Sequence, residues 1–162
     1  MITAVDDLDR ADQQSLAGRL IYGYAARVTE VTEYGLSLAD AIFGRASVPA
    51  GGLRCDVSFE GTVTGPWLRG TVRGSDYGYL RGDGRAELHI HGHITTDEGK
   101  VIALAADGVS NVKPGSTVAQ LRENVALTAA DPGYEWLNSL QIWAIGTADI
   151  ATGEIEVKAY AI

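Results

Sequence analysis

Several kinds of residue are scarce in this chain of 162 residues. It has four prolines and a single cysteine, Cys55. One cysteine cannot form an internal disulfide, so we expect the chain to work in a reducing compartment, most simply the cytoplasm. No apolar run approaches the roughly 20 residues that span a bilayer, and the acidic first ten residues lack the apolar segment of a secretory signal. The sequence therefore predicts neither a membrane protein nor a secreted one.

Basic residues are also few. Thirteen lysines and arginines stand against 21 aspartates and glutamates, which gives a formal net charge of −8. Such a surface repels nucleic acid and anionic membranes, so neither is expected as a partner. The chain has no Gly-x-Ser-x-Gly elbow of a serine hydrolase, and Gly82-Asp83-Gly84 lacks the strand-turn-helix context of a dinucleotide site. We therefore expect a small-molecule ligand and no cofactor.

Glycine is abundant, with 20 residues, and apolar residues recur at alternate positions. The stretch from Leu53 to Glu60 is the clearest case, since every second residue is apolar. Cys55 falls on its apolar side and is expected to be a small buried side chain, not a nucleophile. About eight short strands separated by glycine-rich turns, with at most short helices, indicate an antiparallel barrel or sandwich. We assign a polar arm to residues 1–15 and one domain to residues 16–162.

All three histidines lie between Arg85 and Thr95. His89, His91 and His93 occupy alternate positions, so a strand would project them from one face. Aliphatic side chains would occupy the other face: Leu88, Ile90 and Ile94. A neutral imidazole both donates and accepts a hydrogen bond, and its pKa near ~6.5 suits proton transfer at neutral pH. The histidine stripe is either the solvent-facing polar side of an antiparallel sheet or the wall of a pocket, and we favour the pocket.

The turns on either side of this strand suggest carboxylate partners for the histidines. If residues 97–99 form a three-residue loop with Gly99 in the left-handed conformation, Thr96 pairs with Lys100. That register sets His89 opposite Asp107, with Ala103 and Ala105 opposite the other two histidines. A two-residue turn at residues 83–84 would set Asp76 opposite His91. The predicted catalytic set is therefore the three histidines with Asp76 and Asp107.

Aromatic residues are expected to wall the pocket. The predicted substrate-binding residues are Trp67, Tyr77, Tyr134 and Trp136, with Asn138 as a hydrogen-bonding member. Taken singly, each aromatic residue more often belongs to ordinary core or strand packing. For Asn138 a role in a turn is an equal alternative.

A metal site is the other chemistry that histidines could carry. His-x-His on a strand places two ligands side by side, a spacing that zinc sites use. The outer pair, His89 and His93, would lie ~13 Å apart along a strand, too far to share one ion. Two histidines would then need a carboxylate from Asp76, Glu60 or Asp107. We predict that no metal is bound.

Several short segments resemble one protein family. Gly61-Thr62-Val63-Thr64-Gly65-Pro66-Trp67-Leu68-Arg69-Gly70 is similar to its GG-x-x-x-GP-x-L-x-G segment, and Asp76-Tyr77 to its Asp-aromatic step. Thr96-Asp97-Glu98-Gly99 and Tyr134-Glu135-Trp136-Leu137-Asn138 fit as well. On the basis of these segments, residues 16–162 resemble the domain of unknown function 3237 family. The resemblance implies a compact antiparallel β-barrel of about eight strands, broadly like those of allene oxide cyclases and dirigent proteins, and it implies no particular activity.

The chain departs from that family's pattern around the histidines. Members usually have Asp at the position of His89, a basic residue at that of His91, and polar residues at Ala105 and Ala106. A function particular to this branch is therefore expected. The first hypothesis is a cofactor-independent lyase, isomerase or cyclase that acts on an apolar or aromatic substrate by histidine acid–base catalysis. The alternatives are a non-catalytic binding barrel and a metal-dependent hydrolase or lyase.

The last strand-like segment, residues 154–162, bears on assembly. It has apolar residues on one face and is expected to lie at a sheet edge. Exposed edges pair with other chains unless they are covered. A homodimer or larger oligomer is therefore predicted.

Overall fold

The computed structural model describes residues 18–162, so the polar arm predicted over residues 1–15 lies outside the described part. Eight strands form a closed antiparallel barrel. They are β1 (Arg19–Glu33), β2 (Leu53–Thr64), β3 (Gly70–Leu80), β4 (Ala86–Thr96), β5 (Val101–Val112), β6 (Val118–Thr128), β7 (Ile142–Asp149) and β8 (Glu154–Ala161). The described residues add a five-residue α-helix, α1 (Leu38–Ile42), and a 3-10 helix (Glu135–Ser139). The predicted all-β antiparallel barrel is confirmed.

Each strand pairs with the next along the chain, and β8 pairs with both β7 and β1. The expectation that β8 lies at a sheet edge is therefore wrong, because closure of the barrel leaves no edge. Homo-oligomerisation remains a prediction, and it no longer has the support of an exposed sheet edge. Sedimentation of the purified protein measures it. No helix within residues 18–162 is long and apolar enough to cross a membrane.

The two ends of the barrel are filled differently. At the end where β2 leads into β3 and β6 into β7, large side chains close the interior, and Leu68 and Leu137 are almost fully buried there. Deep in the same end lie further side chains with almost no exposure: Tyr22, Val63, Ile94, Ile102 and Ile142. At the opposite end, α1 and the connection that follows it pack against the barrel wall, where Ala41 and Val48 meet Leu53 and Leu80. Any internal site must therefore be reached from the α1 end.

The β4–β5 hairpin has the predicted register. Thr96 N–H donates to the carbonyl of Lys100 at 2.8 Å, Gly99 has φ of 84°, and His89 lies opposite Asp107. A three-residue loop with its glycine in the left-handed region fixes this pairing.

The β3–β4 turn differs from the prediction. Arg81 N–H donates to the carbonyl of Arg85 at 2.8 Å, so this loop also has three residues and ends on a left-handed glycine, Gly84. The register moves by one residue relative to a two-residue turn. Ser75 therefore lies opposite His91, and Asp76 lies opposite Ile90. The prediction that Asp76 faces His91 is wrong for this reason.

Glycines in the strands let neighbouring backbones approach each other closely. A Cβ atom built at Gly108 would lie 1.8 Å from the carbonyl oxygen of Arg122 on β6. We expect Gly108→Ala to lower the free energy of unfolding by about 2 kcal/mol, because strands β5 and β6 must separate locally. Urea unfolding measures this. Gly51→Ala is the matched control, because a Cβ atom built at Gly51 meets no other atom within 4 Å. An equal loss of stability in both variants would contradict the explanation.

Candidate functional site

A cavity of about 440 Å³ opens at the α1 end of the barrel. Its walls are mainly apolar, with aliphatic side chains from the strands and from α1, among them Val28, Ile42, Val57, Leu80, Leu121 and Ile155. This volume is within the range of small-molecule sites, and such sites are mostly apolar with a few placed polar groups. The polar groups in this cavity therefore decide its chemistry.

The rim of the cavity is set by α1 and a small second core. Ser37 caps the helix, since its Oγ accepts a hydrogen bond from Asp40 N–H at 3.2 Å. Ala41 of the helix packs with Leu53 and Leu80 of the barrel wall. The apolar side of α1 is thereby held over the opening, where it narrows the entrance.

Two carboxylates project into this apolar interior, Asp76 from β3 and Glu123 from β6. Glu123 is only 4% exposed, and its Oε1 has no hydrogen-bond partner among the described residues. Its direction follows from the alternation of β6, because the buried Leu121 and Val125 lie two residues to either side. A buried polar atom without a partner is costly and is a feature typical of functional sites.

Burial changes the protonation of Glu123. Loss of solvent, reinforced by the negative charge of Asp76, raises the pKa of the Glu123 carboxyl to about 7. A group with a pKa near the working pH can both take up and release a proton. Glu123 is thus suited to proton transfer at neutral pH.

Tyr24 of β1 contributes the aromatic part of the cavity wall. Its ring stacks on Phe59 at 6.1 Å and on Tyr22 at 6.5 Å between centroids. Burial, followed by the nearby charge of Glu123, raises the pKa of the Tyr24 phenol well above its ordinary value. Its hydroxyl therefore remains a hydrogen-bond donor at every physiological pH.

Asp76 is held in place by the backbone of the neighbouring strand. Its Oδ1 accepts a hydrogen bond from His89 N–H at 2.9 Å. Between the pairs Asp76–Ile90 and Tyr79–Glu87 the β3–β4 ladder has no paired residues, and the carboxylate satisfies the free N–H there. Burial raises the pKa of Asp76, while the hydrogen bond from His89 opposes that rise. Asp76 is thus a fixed carboxylate in the cavity wall.

Cys55 also borders the cavity and is buried, as predicted. Burial, with the nearby charge of Asp76 as the second cause, raises the pKa of its thiol to about 11. A thiol is a poor nucleophile unless it ionises. Cys55 therefore supplies apolar volume.

The prediction that the histidines face the cavity is wrong. His89, His91 and His93 are exposed on the outer face of β4. The alternation itself is as predicted, but the barrel buries the opposite face, with Leu88, Ile90 and Ile94 inside. Burying three aliphatic side chains stabilises the fold by several kcal/mol, whereas burying three imidazoles would cost desolvation.

The neighbours of the histidines also lie outside. Asp107 is exposed and accepts a hydrogen bond from Asn124 Nδ2 at 3.2 Å. Tyr77 is 40% exposed, with its ring 6.4 Å from that of His91. Glu60, offered as a metal ligand, pairs with Arg73 at 2.9 Å. No group of three His, Cys, Asp or Glu side chains in residues 18–162 is arranged to hold a metal ion.

The remaining predicted substrate-binding residues lie at the closed end, so the expectation that they wall the cavity is wrong. The rings of Trp67 and Trp136 meet edge to face at 6.0 Å. Tyr134 donates its hydroxyl hydrogen bond to Glu98 at 3.0 Å. Asn138 holds the backbone of Ala129 through two hydrogen bonds, of 2.6 and 2.8 Å. These side chains tie the 3-10 helix over the closed end of the barrel.

Of the ten predicted site residues, Asp76 alone lies in the cavity. Sequence reasoning missed Glu123 and Tyr24, although the pattern of β6 contains evidence for the first. Ala119, Leu121 and Val125 alternate in the sequence, and Glu123 occupies the same face. A carboxylate within an otherwise apolar alternation indicates a charged group directed into the core.

The sequence pattern of the family described as "Protein of unknown function (DUF3237)" matches residues 47–162. The chain belongs to this family. The DUF3237 match begins before β2 and includes strands β2 to β8, with Asp76 and Glu123 among the residues covered. It confirms the resemblance found in the sequence and assigns no activity. No curated protein matches the chain.

Solved structures share the barrel. A protein of unknown function from Clostridium acetobutylicum is 19% identical, with 91% of this chain and 99% of that chain covered and a TM-score of 0.73. A β-barrel-like protein from Acinetobacter baumannii is 19% identical, with coverage of 91% and 96% and a TM-score of 0.68. An enzyme from Penicillium herquei is 18% identical, with coverage of 91% and 97% and a TM-score of 0.55. At these identities the likeness shows the barrel fold alone.

Proposed function

We propose that the protein is a cofactor-independent lyase, isomerase or cyclase that moves a proton within an apolar or aromatic small molecule. One observation carries the proposal: Glu123 is buried in an apolar cavity, and its Oε1 has no partner among the described residues. A carboxylate in such surroundings is a stronger base than in water, and it can return the proton as an acid. Glu123 thus takes the role first expected of the histidines.

The reaction needs one proton carrier and one group that stabilises charge on oxygen. The Glu123 carboxylate removes a proton from a C–H bond next to a carbonyl, and the electron pair moves onto the carbonyl oxygen as an enolate. Tyr24, whose phenol stays protonated, is the hydrogen-bond donor for that oxygen. Protonated Glu123 then returns the proton to another carbon, which gives an isomer, or to a departing oxygen, which completes an elimination.

The ring opening of nitrobenzisoxazole tests this chemistry without knowledge of the natural substrate. A base removes the ring C–H proton, the N–O bond breaks, and the electron pair leaves on oxygen, which gives a coloured nitrile phenolate. The molecule is flat, aromatic and uncharged, so it suits an apolar cavity. We expect the protein to accelerate the reaction at pH 7.5 well beyond the same concentration of acetate, and saturably in the probe.

Binding of the probe is measured in parallel by fluorescence quenching or calorimetry. Saturable binding without acceleration would overturn the enzymatic proposal in favour of the non-catalytic binding barrel. A rate equal to that of acetate at every probe concentration, in protein that binds the probe, would do the same.

The exposed histidines give a second prediction. The variant with His89, His91 and His93 all changed to Gln is expected to keep the parent's ring-opening rate within twofold. The backbone of β4 separates these side chains from the cavity, and their replacement changes none of its lining. Steady-state rates at pH 7.5 measure this, and a tenfold loss in correctly folded variant would contradict the assignment of the site to the barrel interior.

A further inference from the structure

All charged side chains on the cavity wall carry the same sign. Asp76 and Glu123 lie inside, Glu87 and Asp149 lie nearer the opening, and no lysine, arginine or histidine from residues 18–162 lines the cavity. The two outer carboxylates have partners: Glu87 lies 3.8 Å from Arg81 Nη1, and Asp149 Oδ1 accepts from Ala151 N–H. The negative charge inside the apolar part of the cavity is therefore that of the inner pair, Asp76 and Glu123.

Each inner carboxylate keeps one oxygen available. Glu123 Oε1 has no partner among the described residues, and Asp76 accepts the hydrogen bond from His89 N–H through Oδ1, which leaves Oδ2 out of that contact. Electrostatic interactions are stronger in such an apolar cavity than in water. A ligand cation would gain from both carboxylates, whereas an anion would meet repulsion from both and find no compensating group.

The aromatic wall favours the same kind of ligand. Tyr24 and Phe59, stacked at 6.1 Å, border the cavity together with Asp76 and Glu123. Aromatic faces attract ammonium groups, and the attraction increases when water is excluded. The remaining wall is aliphatic and suits the hydrocarbon body of a ligand.

We propose that the cavity takes an apolar molecule with one protonated amine, and that Oδ2 of Asp76 holds the ammonium group. The inference rests on the proposed function for its site and leaves Glu123 as the proton carrier. It adds the class of ligand, a hydrophobic amine, and gives Asp76 the role of a specificity residue.

Three probes of the same size and shape test the ligand class: naphthylmethylammonium, naphthylmethanol and naphthoate. Calorimetry at pH 7.5 measures their affinities for the full chain. We expect the ammonium probe to bind at least tenfold more tightly than the alcohol, and naphthoate to show no measurable binding. Equal affinities for amine and alcohol, or tighter binding of naphthoate, would overturn the proposal without recourse to any variant.

The variant Asp76→Asn tests whether Asp76 is the source of the preference for the ammonium probe. The amide oxygen of Asn can still accept the hydrogen bond from His89 N–H, so the strand pairing is kept while the charge is removed. We expect the preference for the amine over the alcohol to fall at least threefold, with the remaining preference supplied by Glu123. Asp107→Asn, which makes the same change of net charge on the outer face, is expected to keep it, and loss of the preference in Asp107→Asn but not in Asp76→Asn would overturn the assignment.

The uncharged nitrobenzisoxazole separates this inference from the proposed function. Acceleration of its ring opening without any preference for amines would contradict the ligand class alone. A preference for amines without acceleration would contradict the proposed catalysis alone.

Discussion

Glu123→Gln is expected to reduce the rate of nitrobenzisoxazole ring opening by on the order of 10²–10⁴, the usual contribution of a general base. Glutamine keeps the size and nearly the shape of the side chain but cannot take up the proton. The probe should still bind, because the apolar walls of the cavity are unchanged. The loss is therefore expected in kcat, with KM altered little.

Glu156→Gln is the matched control, since Glu156 is an exposed glutamate on the outer face of β8. It should retain the parent's rate within twofold. Circular dichroism and thermal unfolding establish that both variants fold. A folded Glu123→Gln protein with more than half of the parent's activity would exclude Glu123 as the base and with it the proposed function.

The same substitution is expected to make the protein more stable in alkaline solution. Burial raises the pKa of Glu123 from 4.5 to about 7, so the folded chain holds a proton that the unfolded chain releases. Below pH 4.5 the carboxyl is protonated in both states, so the folded chain holds no buried charge and the stabilising contribution of the neutral group is fully present. Between pH 4.5 and 7 its stabilising contribution is lost as pH rises, and above pH 7 the loss reaches roughly 3 kcal/mol, at about 1.36 kcal/mol per pH unit.

Glutamine does not ionise, so the Glu123→Gln variant lacks this pH dependence of the free energy of unfolding. The free energy of unfolding of Glu123→Gln relative to the parent is expected to rise by roughly 3 kcal/mol between pH 4 and pH 8. The groups coupled to Glu123 are Asp76, Tyr22 and Tyr24. Asp76 is present in both proteins, and both phenols stay protonated in this range because burial raises their pKa values.

Urea unfolding at a series of pH values measures the difference. Glu156→Gln should follow the parent at each pH, because its side chain lies in solvent. A relative stability of Glu123→Gln that does not change between pH 4 and pH 8 would show that Glu123 is as well solvated in the folded chain as in the unfolded one.

Local sequence decided the class of fold and one hairpin register. Alternating apolar residues and glycine-rich turns are short-range features, and they predicted an antiparallel all-β chain that the structure confirms. The loop at residues 97–99 fixed the pairing of β4 with β5 because Gly99 alone in that loop adopts a left-handed conformation. The loop before β4 has the same form, and its prediction as a two-residue turn moved Asp76 by one position.

Alternation also showed which residues share a face, but not which face is enclosed. In β4 the histidines and the aliphatic residues each form a complete stripe, and either could have lined a pocket. Closure of the barrel decided the question, because burial of Leu88, Ile90 and Ile94 is favourable and burial of imidazoles is not.

The sequence by itself determined an antiparallel β-chain of the DUF3237 family and the small, buried character of Cys55. Tertiary structure alone decided the site, since Asp76 and Glu123 are 47 residues apart and lie on strands that do not pair with each other. They meet across the interior because closure turns one face of every strand toward the same axis. A contact across a barrel depends on the number of strands and on all of their registers together, and no single local pattern contains that combination.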